Sequence, residues 1–493
     1  MVGEFEVAHQ DIWGRIGRLM TKSGPLDTPV FLPVVDPRHP DLVTEMRKMH
    51  IDAIITNSYF AYKHGIDDIH KHLPFRIIMT DSGAFQILKY GGIDVTQEEI
   101  VRAHERMGSD IAVILDIPTG INASRKEVET SVERTLKRAE EWNEIKSRED
   151  IVWVGPVQGG VHLDLVQKCA VEISKFPFAM HAFGSPVEFL ERYEFAPILA
   201  SFIAARTILP INRPLHFFGV GLPAFFSVAV AAGADVFDSA SYILYARDGR
   251  YITIEGVRNI SELAELPCEC PICLEYALKE IKYDWKLIAL HNLCVIMGEM
   301  RKIREAIREG RLWELVENRA KIHPSIYRAF MQLANTPGIE RGTPVSKKHG
   351  IFMYEHESAF RPEVRRHLTR LKAVSLYSGV ACIFPDEGRP LPNWIFKFAK
   401  NYCEILDVFL LSPAFGLIPL EASTVFPLSQ YESAGIENRE VIKKSIDSVH
   451  PTLKEIWVAD EKLLWIRDLS PCPVKLIPEE IKTKIQELKE NCG

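Results

Sequence analysis

The sequence predicts an α/β protein built on a (β/α)8 barrel, with a metal-binding helical element inserted after the last strand and a smaller α/β module beyond it. Three observations carry this expectation. Eight short apolar, β-rich runs follow one another between Pro29 and Ser241, charged helical stretches separate most of them, and a tight cysteine cluster comes soon after the eighth. The runs are Pro29–Val35, Ala53–Tyr59, Ile77–Gly83, Ile111–Ile117, Ile151–Gln158, Phe178–Gly184, Leu215–Gly221 and Asp235–Ser241. They are continuously apolar rather than alternating, which suits strands buried on both faces of a parallel sheet. Eight such units in this length of chain fit a closed barrel. An open doubly wound sheet is the alternative, but no GxGxxG turn follows the first runs to support a dinucleotide-binding version.

Between the runs, Thr96–Met107 and Glu127–Lys146 repeat apolar residues at the three- and four-residue spacing of a helix. A further helical block extends from Trp285 to about Leu333, and turn formers at 335–338 and 341–344 read as a linker. Beyond it, Val374–Tyr377 and Val408–Ser412 are strand-like, whereas Asn393–Glu404 and Pro478–Glu490 are helical. The expected division is a barrel domain at 1–334, with the metal-binding helical subdomain at about 262–334, and an α/β domain at 345–493.

A chain of 493 residues is too long for one compact core. With 47% hydrophobic and 25% charged residues it has an ordinary soluble composition. The net charge of -7 argues against a globally nucleic-acid-binding surface and leaves room for local basic faces. The first residues lack an apolar signal-peptide core, and no run is long enough for a bilayer, so a cytoplasmic protein without membrane attachment is expected.

Three of the nine cysteines lie in Cys268-Glu-Cys270-Pro-Ile-Cys273. In a reducing compartment such clustering favours a metal over disulfides. Thiolates this close can wrap one tetrahedral Zn2+ given a fourth ligand, and His291 downstream is the choice. With four protein ligands the ion is structural. The other cysteines read as incidental thiols.

In a (β/α)8 barrel, reactive groups project from the C-terminal ends of the strands. Here those ends carry Asn57, Asp81-Ser82-Gly83, Asp116, Gln158-Gly-Gly160, His181 and Gly184, Gly219 and Gly221, and Asp238-Ser239. A single Asp after a strand is as readily a helix cap. Three acids and a glutamine converging on one barrel mouth point to chemistry, because burying several carboxylates together is costly without partners or a function.

These residues resemble the tRNA-guanine transglycosylase family. Thr80-Asp-Ser-Gly-Ala-Phe-Gln86 is similar to its TDSG[GS][FY]Q signature, departing at Ala84; Val157-Gln-Gly-Gly160 resembles its base-recognition segment; Phe237-Asp238 stands at its nucleophile; and the Cys268/Cys270/Cys273…His291 set resembles its zinc site. The likeness runs from about Phe5 to Ala329. It implies tRNA base exchange by a pentosyltransferase, with Asp238 as nucleophile and Asp81 as general acid/base, although the residues alone leave the two roles exchangeable. Asp116 would accept from N1–H and the exocyclic amine of a guanine-like edge. Gln158 and backbone amides near Gly160 and Ala182 would donate to O6, and Ser82, His181 and Gly184 would complete the substrate site.

The run Ser239-Ala-Ser-Tyr-Ile-Leu-Tyr and the extension around Leu411–Glu421 resemble the archaeal type. That implies replacement of guanine at position 15 of the D-loop by 7-cyano-7-deazaguanine (preQ0) in archaeosine synthesis. The archaeal pattern adds a PUA domain, for which the residues up to Gly493 show no obvious candidate, so a separate PUA-containing chain is expected. A homodimer is implied as well. The basic candidates for tRNA contact are Arg301-Lys302…Arg304…Arg308…Arg311, Lys347-Lys348-His349 and Arg361…Arg365-Arg366-His367…Arg370…Lys372. The competing readings are a queuine- or preQ1-type exchange at the anticodon and a non-catalytic tRNA-binding subunit on the same fold.

Overall fold

Three antiparallel strands, β1 (Phe5–Asp11), β2 (Gly14–Thr21) and β3 (Gly24–Thr28), lead into the first apolar run. The computed structural model describes residues 1–36, 40–84 and 95–490. All eight runs form strands of one sheet: β4 (Val30–Pro33), β5 (Ala53–Asn57), β6 (Ile77–Asp81), β7 (Ile111–Val113), β8 (Val152–Val157), β9 (Met180–Phe183), β10 (Leu215–Phe217) and β11 (Val236–Ser239). The order is β4-β11-β10-β9-β8-β7-β6-β5, with each pair parallel. A parallel bridge between Val34 and Ile55 joins the two ends, and the Val35 N–H donates to the Ile55 carbonyl at 2.8 Å. The sheet is a barrel.

Strand alternation explains what fills it. Leu32, Ile55, Met79, Val113, Val154, Ala182 and Val236 share one buried cluster inside the barrel. Leu19 of β2 and Leu26 of β3 join that cluster, so the N-terminal meander plugs the end where the strands begin. Arg15 of β2 reaches Asp235 just before β11 at 2.7 Å, both buried, and also donates to the carbonyls of Ile211 and Arg213. Stranding either charge would cost about 3–5 kcal/mol. With that end closed, the opposite mouth is where a ligand can enter.

The other side of each strand packs under helices. Phe183 and Phe217 meet Phe202 of the helix Phe195–Arg206, the latter pair stacked at 4.4 Å. The helices Gln97–Met107 and Arg125–Ile145 begin with capping boxes at Thr96 and Ser124. The helical block after the cysteines resolves into Trp285–Glu309, Leu312–Ala320 and Pro324–Ala334. Together with the barrel these make one compact unit, Met1–Thr336.

The second unit begins at Pro337. In chain order its strands are β12 (Ile351–Met353), β13 (Val380–Pro385), β14 (Asp407–Ser412), β15 (Gly416–Pro419), β16 (Tyr431–Ser433), β17 (Glu455–Val458) and β18 (Val474–Leu476). Five of them form a sheet in the order β15-β14-β13-β17-β18, parallel except for the β14/β15 pair. Its two faces carry separate apolar clusters, one reaching the helices Asn393–Tyr402 and Glu479–Glu490, the other the helix Arg439–Val449. The expected strand at Val374–Tyr377 is not one. Val374 and Leu376 tuck under the sheet, but the Asp407 carboxylate takes the N–H groups of Tyr377 and Ser378, so pairing starts only at Val380. The segment expected to be a linker contains a 3-10 turn, Ile339–Gly342, and Arg366 donates to the carbonyls of Glu340, Thr343 and Pro344. Among the described residues, no helix is long and apolar enough to cross a membrane.

Candidate active site

The open barrel mouth holds a cavity of about 450 Å3, and Asp81, Asp116 and Asp238 all line it. They arrive on three different strands, as the fold dictates: Asp81 ends β6, Asp116 follows β7 and Asp238 stands in β11. The walls are otherwise mostly apolar, including Val220, Phe225 and Leu244. A dry wall around a few convergent polar groups makes their electrostatics count for more.

The three acids sit in different surroundings. Burial, followed by the charges of Asp116 and Asp238, pushes Asp81 up to about 7. Its Oδ2 accepts the Gly83 N–H at 3.2 Å. Burial likewise raises Asp116 to about 6, against the opposing effect of a 2.5 Å hydrogen bond from Gln158 Nε2. Arg138 donates to the Asp116 carbonyl at 2.8 Å and so fixes the loop that presents it. Asp238 is anchored through one oxygen: Oδ1 faces His216 Nε2 at 2.9 Å and accepts the Gly219 N–H at 3.0 Å. Its Oδ2 has no partner among the described residues. One acid is therefore poised to exchange a proton near neutrality, while another presents an oriented oxygen.

Of the other residues singled out from the sequence, Gly184 lines the cavity and Gln158 lies behind it. A Cβ on Gly184 would stand 2.3 Å from Gln158 Nε2, so only glycine leaves room for that amide. Ser82 is buried beneath Asp81 and accepts the Ala84 N–H at 3.4 Å; Gly160 takes a left-handed φ of +56° at the turn after β8. Neither lines the cavity. Ala182 points into the barrel below it. His181 is the next residue back along β9 and therefore faces outward, packed against Phe178 at 6.3 Å, with burial holding its ring down at about 3. It does not reach the cavity. Phe85 and Gln86 of the signature run lie outside the described residues.

Three contributors were missed in the sequence. His216 orients Asp238, and the only trace of it is a lone polar residue inside an apolar strand. Ser185 bridges Thr119 and Gln158. Glu188 accepts the Ile121 N–H at 2.7 Å and ties down the loop after Asp116.

Cys268, Cys270, Cys273 and His291 converge, with one ligand atom from each lying within 4.8 Å of every other. His291 Nε2 is spent on the Ile252 carbonyl at 2.9 Å, which leaves Nδ1 facing Cys273 at 3.2 Å and Cys270 at 3.5 Å. Such a carbonyl partner fixes the tautomer of a metal-bound histidine. Tyr251 stacks on the imidazole at 3.6 Å and contacts the Cys273 sulfur at 3.1 Å. Three soft sulfurs and one imidazole nitrogen around a single point can hold a metal ion.

The basic candidates fare unevenly. Arg361 and Lys347 are not on a solvated face: both pair with buried Glu363, Lys347 at 2.8 Å. Burial would raise that carboxyl, but the two cations outweigh it and hold Glu363 down at about 2. Arg366 is spent on backbone carbonyls, and burial lowers His367 to about 4. Arg304 turns in to the Pro29 carbonyl at 2.8 Å. Arg301, Lys302, Arg308, Lys348, Arg370 and Lys372 are exposed.

Comparison with known proteins agrees with this geometry. Residues 11–325 match the family described as queuine tRNA-ribosyltransferase. A tRNA-guanine(15) transglycosylase of Sulfolobus acidocaldarius is 37% identical over 97% of this chain and 99% of its own length. One from Saccharolobus solfataricus is 41% identical over 89% of this chain and 92% of its own, and one from Methanocaldococcus jannaschii 38% over 92% and 72%. With that match across the barrel and that identity across most of the chain, the protein belongs to the tRNA-guanine transglycosylase family.

Proposed function

We propose that this chain exchanges guanine at position 15 of the tRNA D-loop for a 7-deazaguanine base by double displacement. The observation that carries the reading is the unequal environment of the acids around one cavity. Asp238 Oδ2 attacks C1′ of the ribose while the bond from C1′ to guanine breaks, and Asp81 gives its proton to the departing base. A ribosyl ester of Asp238 remains. The incoming base then passes a proton back to Asp81 and attacks C1′, and the ester bond breaks, as in retaining glycosyl transfer. Asp116 reads N1–H and the exocyclic amine, with Gln158 and Gly184 beside it, and backbone amides near Gly160 and Ala182 donate to O6. The target nucleotide must leave its stack to enter the mouth.

The incoming base is proposed to be preQ0, on the route to archaeosine. Exchange at the anticodon is not favoured, because the relatives carry the position 15 name. A silent subunit would have no use for acids held in such different states. The metal is proposed to be a structural Zn2+, since four protein ligands leave no open position. Further proposed partners are a second copy of the chain, for which exposed Leu274 and Tyr283 beside the cysteines are an available apolar face, and a separate PUA-containing chain. The proposed compartment is the cytoplasm, where tRNA is met.

Incorporation of labelled guanine into unmodified tRNA tests the reaction, and its pH profile tests the roles. Asp81 must be protonated to release the first base, so single-turnover cleavage should fall about tenfold per pH unit above about 7. Asp116 must be ionised to accept from N1–H, so the acid limb should lie near pH 6. Asp81→Asn should slow cleavage and abolish the alkaline limb. A profile that keeps this limb in the variant assigns the proton to another group.

A further inference from the structure

We propose that Ser185 is a specificity-determining residue: its hydroxyl, acting through Gln158 behind the cavity, sets the hydrogen-bond polarity of Asp116 on the base-reading edge. This rests on the functional reading above. Ser185 holds a left-handed backbone with φ of +64°. That region is uncommon for a residue other than glycine and marks a conformation imposed by its surroundings. What the conformation achieves is a directed relay. The Thr119 N–H donates to Ser185 Oγ at 2.8 Å, so the serine proton is available to Gln158 Oε1 at 2.6 Å. The far end of the same amide, Nε2, then donates to Asp116 Oδ2 at 2.5 Å.

Each link fixes the next. A backbone N–H can only donate, so Ser185 Oγ accepts there; of its two other neighbours, Gln158 Oε1 at 2.6 Å is far nearer than Thr119 Oγ1 at 3.5 Å and takes the serine proton. Gln158 receives that proton on its oxygen and must turn its NH2 toward Asp116. Asp116 is thereby kept an acceptor, as the N1–H and amino edge of guanine requires. Without the hydroxyl, the amide can reverse. Asp116, already raised toward neutrality by burial, could then hold a proton and donate it to Gln158 Oε1. Asp116 held neutral in this way is a poorer acceptor for N1–H, a cost that falls on guanine and not on 2,6-diaminopurine, which has no N1–H.

The test compares Ser185→Ala and Ser185→Gly with the wild type. Both remove the hydroxyl, but alanine keeps the backbone strain and glycine releases it. Calorimetric binding constants for guanine and 2,6-diaminopurine are measured on each protein. The preference for guanine should fall by at least about tenfold in both variants, the scale of one buried hydrogen-bonding group left mismatched. Ser185→Cys, a weak donor, should fall between them and the wild type. If both variants keep the wild-type preference, the proposal is overturned and the reading of the cavity stands. If only the alanine variant loses it, backbone strain rather than the hydroxyl matters, which also overturns the proposal. A wild-type protein that prefers neither base would overturn the proposal and the functional reading together.

Discussion

Replacing Asp238 with asparagine should lower base exchange by at least about 10^4-fold, the scale of losing a covalent nucleophile, while the protein stays folded. The amide oxygen of asparagine can still accept the Gly219 N–H that Oδ1 accepts at 3.0 Å, so the barrel mouth keeps its shape. What is lost is the second oxygen, the atom proposed to bond C1′. Asparagine at Asp81 removes a proton donor rather than a bond partner and should cost less, about 10^2- to 10^4-fold. Initial rates of labelled guanine incorporation, with circular dichroism as the control for folding, give both numbers. A larger loss at Asp81 than at Asp238 would exchange the two roles.

The second large effect concerns the metal. Removing the proposed zinc with a chelator, or replacing Cys270 with alanine, should lower the thermal midpoint by about 10 °C. Structural zinc sites supply roughly 10–16 kcal/mol in small peptides, and in a unit of this size about half of that is needed for such a shift. The reason is local. The short helix Pro271–Glu275 has no buried residue, and the cysteines are what tie it to His291 on the long helix Trp285–Glu309. Adding zinc back should restore the chelated protein and leave the Cys270 variant low. Differential scanning calorimetry alongside metal analysis reads both. An equal midpoint with and without bound metal would mean that packing alone holds the element.

Much of this was legible in the sequence, for identifiable reasons. Continuous apolar runs are demanded by strands covered on both faces, so β4 to β11 could be read directly. The Cys268/Cys270/Cys273 spacing constrains itself, and the choice of His291 is matched by the side-chain geometry. What could not be read depends on side-chain direction. His181 and Ala182 are neighbours in β9, yet alternation sends one out to Phe178 and the other into the barrel. A one-residue register separates a side chain of the barrel interior from an outward-facing core histidine. Ser185 gave no signal, because a left-handed backbone is fixed by its neighbours and not by the residue type. The Arg361 and Lys347 cluster looked like a phosphate track in one dimension. Only folding brings Glu363 between them.

The central claim is that one oxygen of Asp238 bonds the ribose while two bases trade places. Denaturing-gel isolation of a tRNA–protein adduct, followed by mass spectrometry of the joined peptide and nucleotide, tests it most directly. The account predicts a single crosslink from residue 238 to the abasic ribose at position 15. An adduct through Asp81, or exchange that proceeds with no covalent species on rapid quenching, would contradict it.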